Sequence, residues 1–155
     1  MNVVLVEPEI HQNVGNVGRT CVGTGTPLHL VGKLGFSLDD KHLKRAGLDY
    51  WPRLDLRLHP SFEAFLQTAG ADPNLLFFSA EGERDFWSAP YAPETALVFG
   101  KESAGLPPSL RARYRDRLYR VPHSKSIRSL NLATCVGVVL YEALRQCTTL
   151  KAANG

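Results

Sequence analysis

Three polar stretches of this chain combine residue types that could grip a charged organic ligand. The first is Glu7-Pro8-Glu9-Ile10-His11-Gln12-Asn13-Val14-Gly15-Asn16-Val17-Gly18-Arg19. Its glycines permit a close backbone approach, and Arg19 offers a planar guanidinium with donors in a fixed fork. The second, Leu97-Val98-Phe99-Gly100-Lys101-Glu102-Ser103-Ala104-Gly105-Leu106-Pro107, is an apolar run that leaves through glycine into a short turn. The third, Val121-Pro122-His123-Ser124-Lys125-Ser126-Ile127-Arg128-Ser129-Leu130-Asn131-Leu132, is polar and basic ahead of an apolar stretch. Plainer readings stand beside these: an ordinary capped helix with a surface arginine for the first, and N-capping by Ser129 or Asn131 for the third.

Other chemistries fail residue by residue. A phosphate loop ending at Gly100-Lys101 needs glycine where Thr95 stands and a hydroxyl residue where Glu102 stands. Gly23-Thr24-Gly25 follows a helical pattern instead of a strand and lacks the third glycine of a dinucleotide fingerprint. There is no Gly-x-Ser-x-Gly elbow and no His-Glu-x-x-His pair, and His11, His29, His42, His59 and His123 show no ligand spacing. No metal site is expected. Cys21, Cys135 and Cys147 are odd in number and lie in apolar, helix-like contexts, which points to buried thiols and away from disulfides or zinc ligands.

The elements that must position these loops are legible from hydrophobic period. Short aliphatic runs at Asn2 to Val6, Leu28 to Val31, Leu54 to Leu58, Leu75 to Ser79, Ala96 to Phe99 and Leu118 to Val121 read as strands. Helical stretches follow Asn13 (Val14 to Thr24), Asp39 (Asp40 to Ala46), Ser61 (Phe62 to Ala69) and Pro107-Pro108 (Ser109 to Tyr114), and a last helix runs from about Leu130 to Cys147. This alternation predicts an α/β fold, a mainly parallel sheet with helices on both faces. Such sheets bind ligands beyond the carboxyl ends of their strands, where all three polar loops fall.

With 155 residues the chain has room for one domain over 1–150, with 151–155 as a frayed tail. It lacks a long apolar run or a basic leader, so a cytoplasmic protein with no membrane contact is expected. Net charge is only +3, but Lys101 to Arg128 holds eight Lys or Arg against Glu102 and Asp116. A basic segment on a nearly neutral body suits a polyanion, although a solvated helix face reads the same way. The last helix is apolar almost all round and needs cover on two sides. A second copy of the chain would supply it, as would a central position within one monomer.

Four motifs in order carry a resemblance: Asn13-x-Gly15-Asn16-x-x-Arg19, Gly35-Phe36 through Asp39-Asp40-Lys41 to Arg45-Ala46-Gly47-Leu48-Asp49-Tyr50-Trp51, Phe99-Gly100-x-Glu102-x-x-Gly105-Leu106-Pro107, and Arg128-Ser129-Leu130-Asn131-Leu132. On these the chain resembles the SPOUT-class RNA methyltransferases, and most closely the TrmL family of tRNA (cytidine/uridine-34-2′-O)-methyltransferases. The resemblance implies an α/β-knot with a C-terminal trefoil, while the homodimer is expected from the apolar pattern of the last helix. It also implies 2′-O-methylation of the wobble ribose of tRNA from S-adenosyl-L-methionine, with S-adenosyl-L-homocysteine as product. Phe78, Gly100, Gly105, Val121, Ser129 and Leu130 would hold that donor. Arg19 would be central to catalysis, with Asn16, Glu102, Ser129 and Asn131 orienting it or completing the hydrogen-bond network. Lys41, Lys44, Arg45, Arg111, Arg113, Arg120, Lys125 and Arg128 would meet RNA phosphates. His11-Gln12, where relatives often carry proline, and His123, where many carry methionine, depart from the pattern. Related enzymes acting on another tRNA position or on rRNA, and a non-catalytic RNA-binding module, stay open alongside.

Overall fold

The computed structural model describes residues 1–38, 49–71 and 73–147. The sequence pattern has condensed into one seven-stranded sheet in which every strand pair is parallel. The strands are β1 (Asn2–Val6), β2 (Leu28–Val31), β3 (Leu56–His59), β4 (Leu75–Phe78), β5 (Arg84–Asp85), β6 (Ala96–Phe99) and β7 (Leu118–Arg120). Their spatial order is β3-β2-β1-β6-β4-β7-β5. The chain builds outward from β1, returns for β4, and then inserts β6 between β1 and β4. That insertion sets the exits of the first two polar loops side by side.

A sheet covered on both faces needs strands that are apolar on both faces, and β1 meets that demand. Val3 and Leu5 join one core layer with Val17 and Cys21 of α1 (His11–Thr24) and Val136, Val139 and Leu140 of the last helix. Val4 and Val6 join the other with Phe62 and Phe65 of α2 (Phe62–Thr68) and Leu110 of α3 (Pro108–Arg113). The last helix, α4 (Leu132–Cys147), packs along α1. Its outer sector leaves Val138 and Tyr141 at 41% and 50% exposure.

Several boundaries differ from the sequence reading for local reasons. α1 begins at His11, with Ile10 as N-cap and no side-chain cap bond, so Asn13 lies inside the first turn and does not cap it. α2 does start at Ser61, whose hydroxyl oxygen accepts from Ala64 N at 3.1 Å. α4 begins two residues later than expected because Asn131 caps it, accepting from Ala133 N and Thr134 N. β3 starts at Leu56, since Trp51–Arg53 curls into a 3₁₀ turn that takes up the amide of Leu54. β5 carries no aliphatic run and has no signal in the sequence. The expected helix Asp40 to Ala46 and the tail 151–155 lie outside the described residues. Burial pushes the thiols of Cys21 and Cys135 up to about 12, so both stay protonated, and the three cysteines form no disulfide. No helix among the described residues is long and apolar enough to cross a membrane.

On the α2 face, His29 and His59 stack with ring centroids 5.1 Å apart, and His29 Nδ1 lies 2.9 Å from His59 Nε2. Phe65 packs edge-on to both rings. Burial, and after it the neighbouring His59 and Arg57, hold His29 down at about 4. The folded state therefore keeps His29 neutral where the unfolded chain, with an ordinary value near 6.5, takes up a proton. This contribution is complete above about pH 6.5 and is lost as pH falls toward 4, on the order of 3 kcal/mol. Denaturant midpoints measured from pH 7 to 4.5 should fall steadily and fall less in His29→Gln; a flat wild-type profile would contradict the assignment.

Candidate active site

Beyond the carboxyl ends of β4, β6 and β7 lies a cleft of about 480 Å³. Its walls are the turn 100–105 and the segment 121–131, and Phe78, Phe99, Leu132 and Cys135 give it an apolar floor. The turn folds back on itself: Lys101 and Gly105 exchange main-chain hydrogen bonds of 2.9 and 3.2 Å, and Gly105 takes a left-handed φ of 68°. A Cβ on Gly100 would sit 2.0 Å from the carbonyl carbon of Gly105 and 2.1 Å from Leu106 N. Only glycine fits, because the obstacle is backbone and cannot swing aside.

Glu102, at the tip of that turn, crosses to the start of α1. Its carboxylate accepts from Glu9 N at 2.7 Å, Ile10 N at 3.1 Å and Asn13 Nδ2 at 3.0 Å. A carboxylate from a distant loop thus stands where a local cap would, beside the positive end of the helix dipole. Asn13 is buried, and its Oδ1 accepts from Asn131 Nδ2 at 2.9 Å. Asn131 Oδ1 is committed to α4, so donors and acceptors run one way through the chain and fix both amide orientations. All three polar loops are joined by this single, partly buried relay. Around it, Glu9 accepts from the amide and hydroxyl of Ser103, both at 2.9 Å, which holds its carboxyl below the usual range. Lys101 reaches Glu7 at 3.2 Å, and Arg128 Nη2 donates to Ser103 O at 2.9 Å.

Phe78, Gly100, Gly105, Val121, Ser129 and Leu130 all line the cleft, as do Glu102, Asn131 and Arg128. His123 lines it too, so one departure from the family pattern lies at the cleft. Asn16 and Arg19 do not line it; both are exposed on α1. Six residues of helix turn Arg19 about 120° from Asn13 and carry it roughly 9 Å along the axis. Its guanidinium lies 5.8 Å from the ring centre of Tyr50.

Asn13 was read from sequence as a cap and not as a site residue. The available signal was its place one turn before Val17 on an apolar stripe, because a polar side chain buried there requires partners.

The basic series is less bare than its sequence suggests. Arg111 pairs with Glu81, Arg120 with Asp85 at 2.9 Å and Arg115 with Glu83 at 3.0 Å, all three acids coming from the loop and strand after β4. Arg113 stacks over Tyr114 at 5.1 Å, while Lys125 is exposed. Lys41, Lys44 and Arg45 lie outside the described residues.

An apolar floor, close-approach backbone and a rim of amides and cations suit a ligand that is part flat ring and part charged chain. Comparisons with known proteins agree with that chemistry. Residues 1–141 match the SpoU rRNA Methylase family. A Synechocystis sp. protein provisionally named tRNA (cytidine(34)-2′-O)-methyltransferase is 48% identical over 152 residues, covering 97% of this chain and 99% of its own. A Burkholderia pseudomallei protein named tRNA (cytidine(34)-2′-O)-methyltransferase is 45% identical over 147 residues, 94% of each chain. A solved structure described as giving insight into 2-OH methylation of C/U34 on tRNA superposes with a TM-score of 0.88 at 50% identity, covering 94% of both chains. The AdoMet-bound rRNA methyltransferase of Sinorhizobium meliloti superposes at 0.81 with 28% identity, over 94% of this chain and 56% of that one.

The backbone contact at Gly100 makes a direct prediction. Gly100→Ala should lower stability by about 3 kcal/mol, whereas Gly23→Ala, whose Cβ would meet nothing within 4 Å, should raise it by about 0.5–1 kcal/mol. Chemical denaturation of both variants checks the pair, and equal stabilities would count against the tight turn.

Proposed function

The chain belongs to the SpoU rRNA methylase family, and from that premise we propose that it methylates the ribose 2′-oxygen of the wobble nucleotide, C34 or U34, of tRNA. S-adenosyl-L-methionine is the donor and S-adenosyl-L-homocysteine the product. The observation that carries the reading is the Glu102–Asn13–Asn131 relay, which holds three loops around one cleft in a chain nearly half identical to relatives named for this reaction. The reading takes residues 1–150 as a single catalytic domain working in the cytoplasm on a tRNA partner.

The residues present suit the donor. A floor of Phe78, Leu132 and Cys135 fits a flat adenine, and the Gly100 turn leaves backbone room that any side chain would fill. Gly105, Val121, Ser129 and Leu130 line the remaining wall. When bound, the donor supplies an electrophilic methyl on a cationic sulfur. Displacement at that carbon needs the incoming oxygen held in line behind it, so a stiff cradle provides much of the rate. The relay is that cradle's brace: each of its members has at least one polar atom bonded to another loop.

Arg19 acts on the acceptor side. A guanidinium carries only N–H donors and no acceptor lone pair, so it supplies charge and hydrogen bonds and does not act as the base. It grips the RNA phosphate and stabilises the oxyanion developing at the 2′-oxygen, with Asn16 on the same exposed sector of α1. Glu102, Ser129 and Asn131 complete the network at the cleft. No step calls for a metal ion.

A homodimer fits the same reading. It is supported by the exposed Val138 and Tyr141 on α4 and by the position of Arg19, which lies outside the cleft lining of its own protomer. The trefoil knot that family membership implies draws support from the Arg128–Ser103 contact, which lays the segment after β7 across the turn after β6. Lys41, Lys44, Arg45, Arg111, Arg113, Arg120, Lys125 and Arg128 form the RNA surface, with Arg111 and Arg120 exchanging carboxylates for phosphates on binding.

The deciding experiment is mass-spectrometric mapping of 2′-O-methylation in tRNA incubated with protein and donor. Methylation at nucleotide 34 is expected; a methyl group only elsewhere, or none, would overturn the assignment. Arg19→Ala should abolish transfer while calorimetry still shows binding of S-adenosylhomocysteine, and near wild-type turnover would remove Arg19 from the mechanism. Binding of tRNA should weaken steeply with salt, and a salt-independent affinity would contradict the cationic surface.

A further inference from the structure

We propose that Tyr50 is a positioning residue that sets the direction of the Arg19 guanidinium; the inference rests on the acceptor-side role given to Arg19 above. Arg19 is exposed, and among the described residues its one recorded partner is the face of Tyr50, 5.8 Å from guanidinium carbon to ring centre. A free arginine side chain samples many rotamers, and selecting one of them costs entropy. A ring beneath the guanidinium narrows that choice without consuming any of its N–H donors, which stay available to phosphate or oxyanion.

Tyr50 is itself held in place. It is only 9% exposed, and its hydroxyl donates to the carbonyl of Gly15. In an α-helix that carbonyl is the one that receives the amide of the residue four places on, which is Arg19. The tyrosine is therefore tied to the turn that carries the arginine it faces. The residues after it are fitted to α1 as well: a Cβ on Gly18 would come within 3.1 Å of both the Trp51 ring and Leu54. Ring, tie and backing segment are all packed on α1, so Arg19 can be pre-aimed before RNA arrives. Neither ring nor tie lies in the donor cleft, so donor affinity should not depend on them.

The test compares Tyr50→Leu, Tyr50→Phe and Arg19→Ala at saturating donor and tRNA, together with the NMR resonance of the Arg19 side-chain Nε–H, assigned through Arg19→Lys. A ring under the guanidinium shifts that resonance, so it reports the contact independently of turnover. Tyr50→Leu should lose the shift and lower kcat at least tenfold with the affinity for S-adenosylhomocysteine unchanged. Tyr50→Phe, which keeps the ring, should stay within about threefold of wild type. If Tyr50→Leu melts below the assay temperature, Tyr50→Met takes its place. Wild-type kcat in the ring-less variant while Arg19→Ala is inactive would overturn the positioning role alone. Full turnover in Arg19→Ala would overturn the role of Arg19 and this inference with it. Equal losses in Tyr50→Phe and Tyr50→Leu, accompanied by equal drops in melting temperature, would mark Tyr50 as packing only and overturn the proposal.

Discussion

The site depends on one carboxylate that accepts three hydrogen bonds from across the chain. Glu102 accepts two main-chain amides and one carboxamide from the start of α1, and those donors would otherwise point into a cleft mouth with no local cap. A partly buried carboxylate left unpaired is costly, and so are unpaired amides at a helix start, so each side removes the other's penalty. Asn13 extends the arrangement to Asn131, and Asn131 in turn starts α4. Helix starts, loop shapes and cleft geometry are thus consequences of the same few bonds.

The sheet order makes those bonds possible. Because β6 is inserted between β1 and β4, its exit turn stands beside the exit of β1, and residues some ninety positions apart meet at hydrogen-bond distance. The turn must be compact to present Glu102 at that point, which is why Gly100 and Gly105 touch through backbone alone. Topology brings the loops together and glycine lets them close. Polar side chains then lock them, and the remaining space keeps a largely apolar floor.

The two sides of the reaction are assigned to different surfaces. The residues proposed to hold the donor line the braced cleft, whereas Arg19 and Asn16, proposed for the acceptor side, ride on the exposed sector of α1. A rigid cradle for one reactant and an open face for a large one is a physically consistent division of labour. In the basic segment, Arg111, Arg115 and Arg120 are paired with the acids of the loop and strand after β4 and present a mixed surface.

Much of this was legible before folding. Aliphatic runs such as Asn2–Val6 and Ala96–Phe99 can only be buried on both faces, so strands, layers and the siting of loops at strand ends followed from local pattern. Several of the residues that line the cleft were legible through the family resemblance, Phe78, Gly100 and Leu130 among them. Periodicity did not reveal β5, because its two polar residues owe their pairing to the edge of β7. Nor did it reveal Asn13, whose apparent capping role vanished once Glu102 arrived from across the chain. The sequence by itself determined which segments are buried and which are polar, because transfer from water is a property of each residue and its period. Only the tertiary structure decided which polar groups satisfy one another, because hydrogen bonds act over about 3 Å and their partners here lie some ninety to one hundred and twenty residues away.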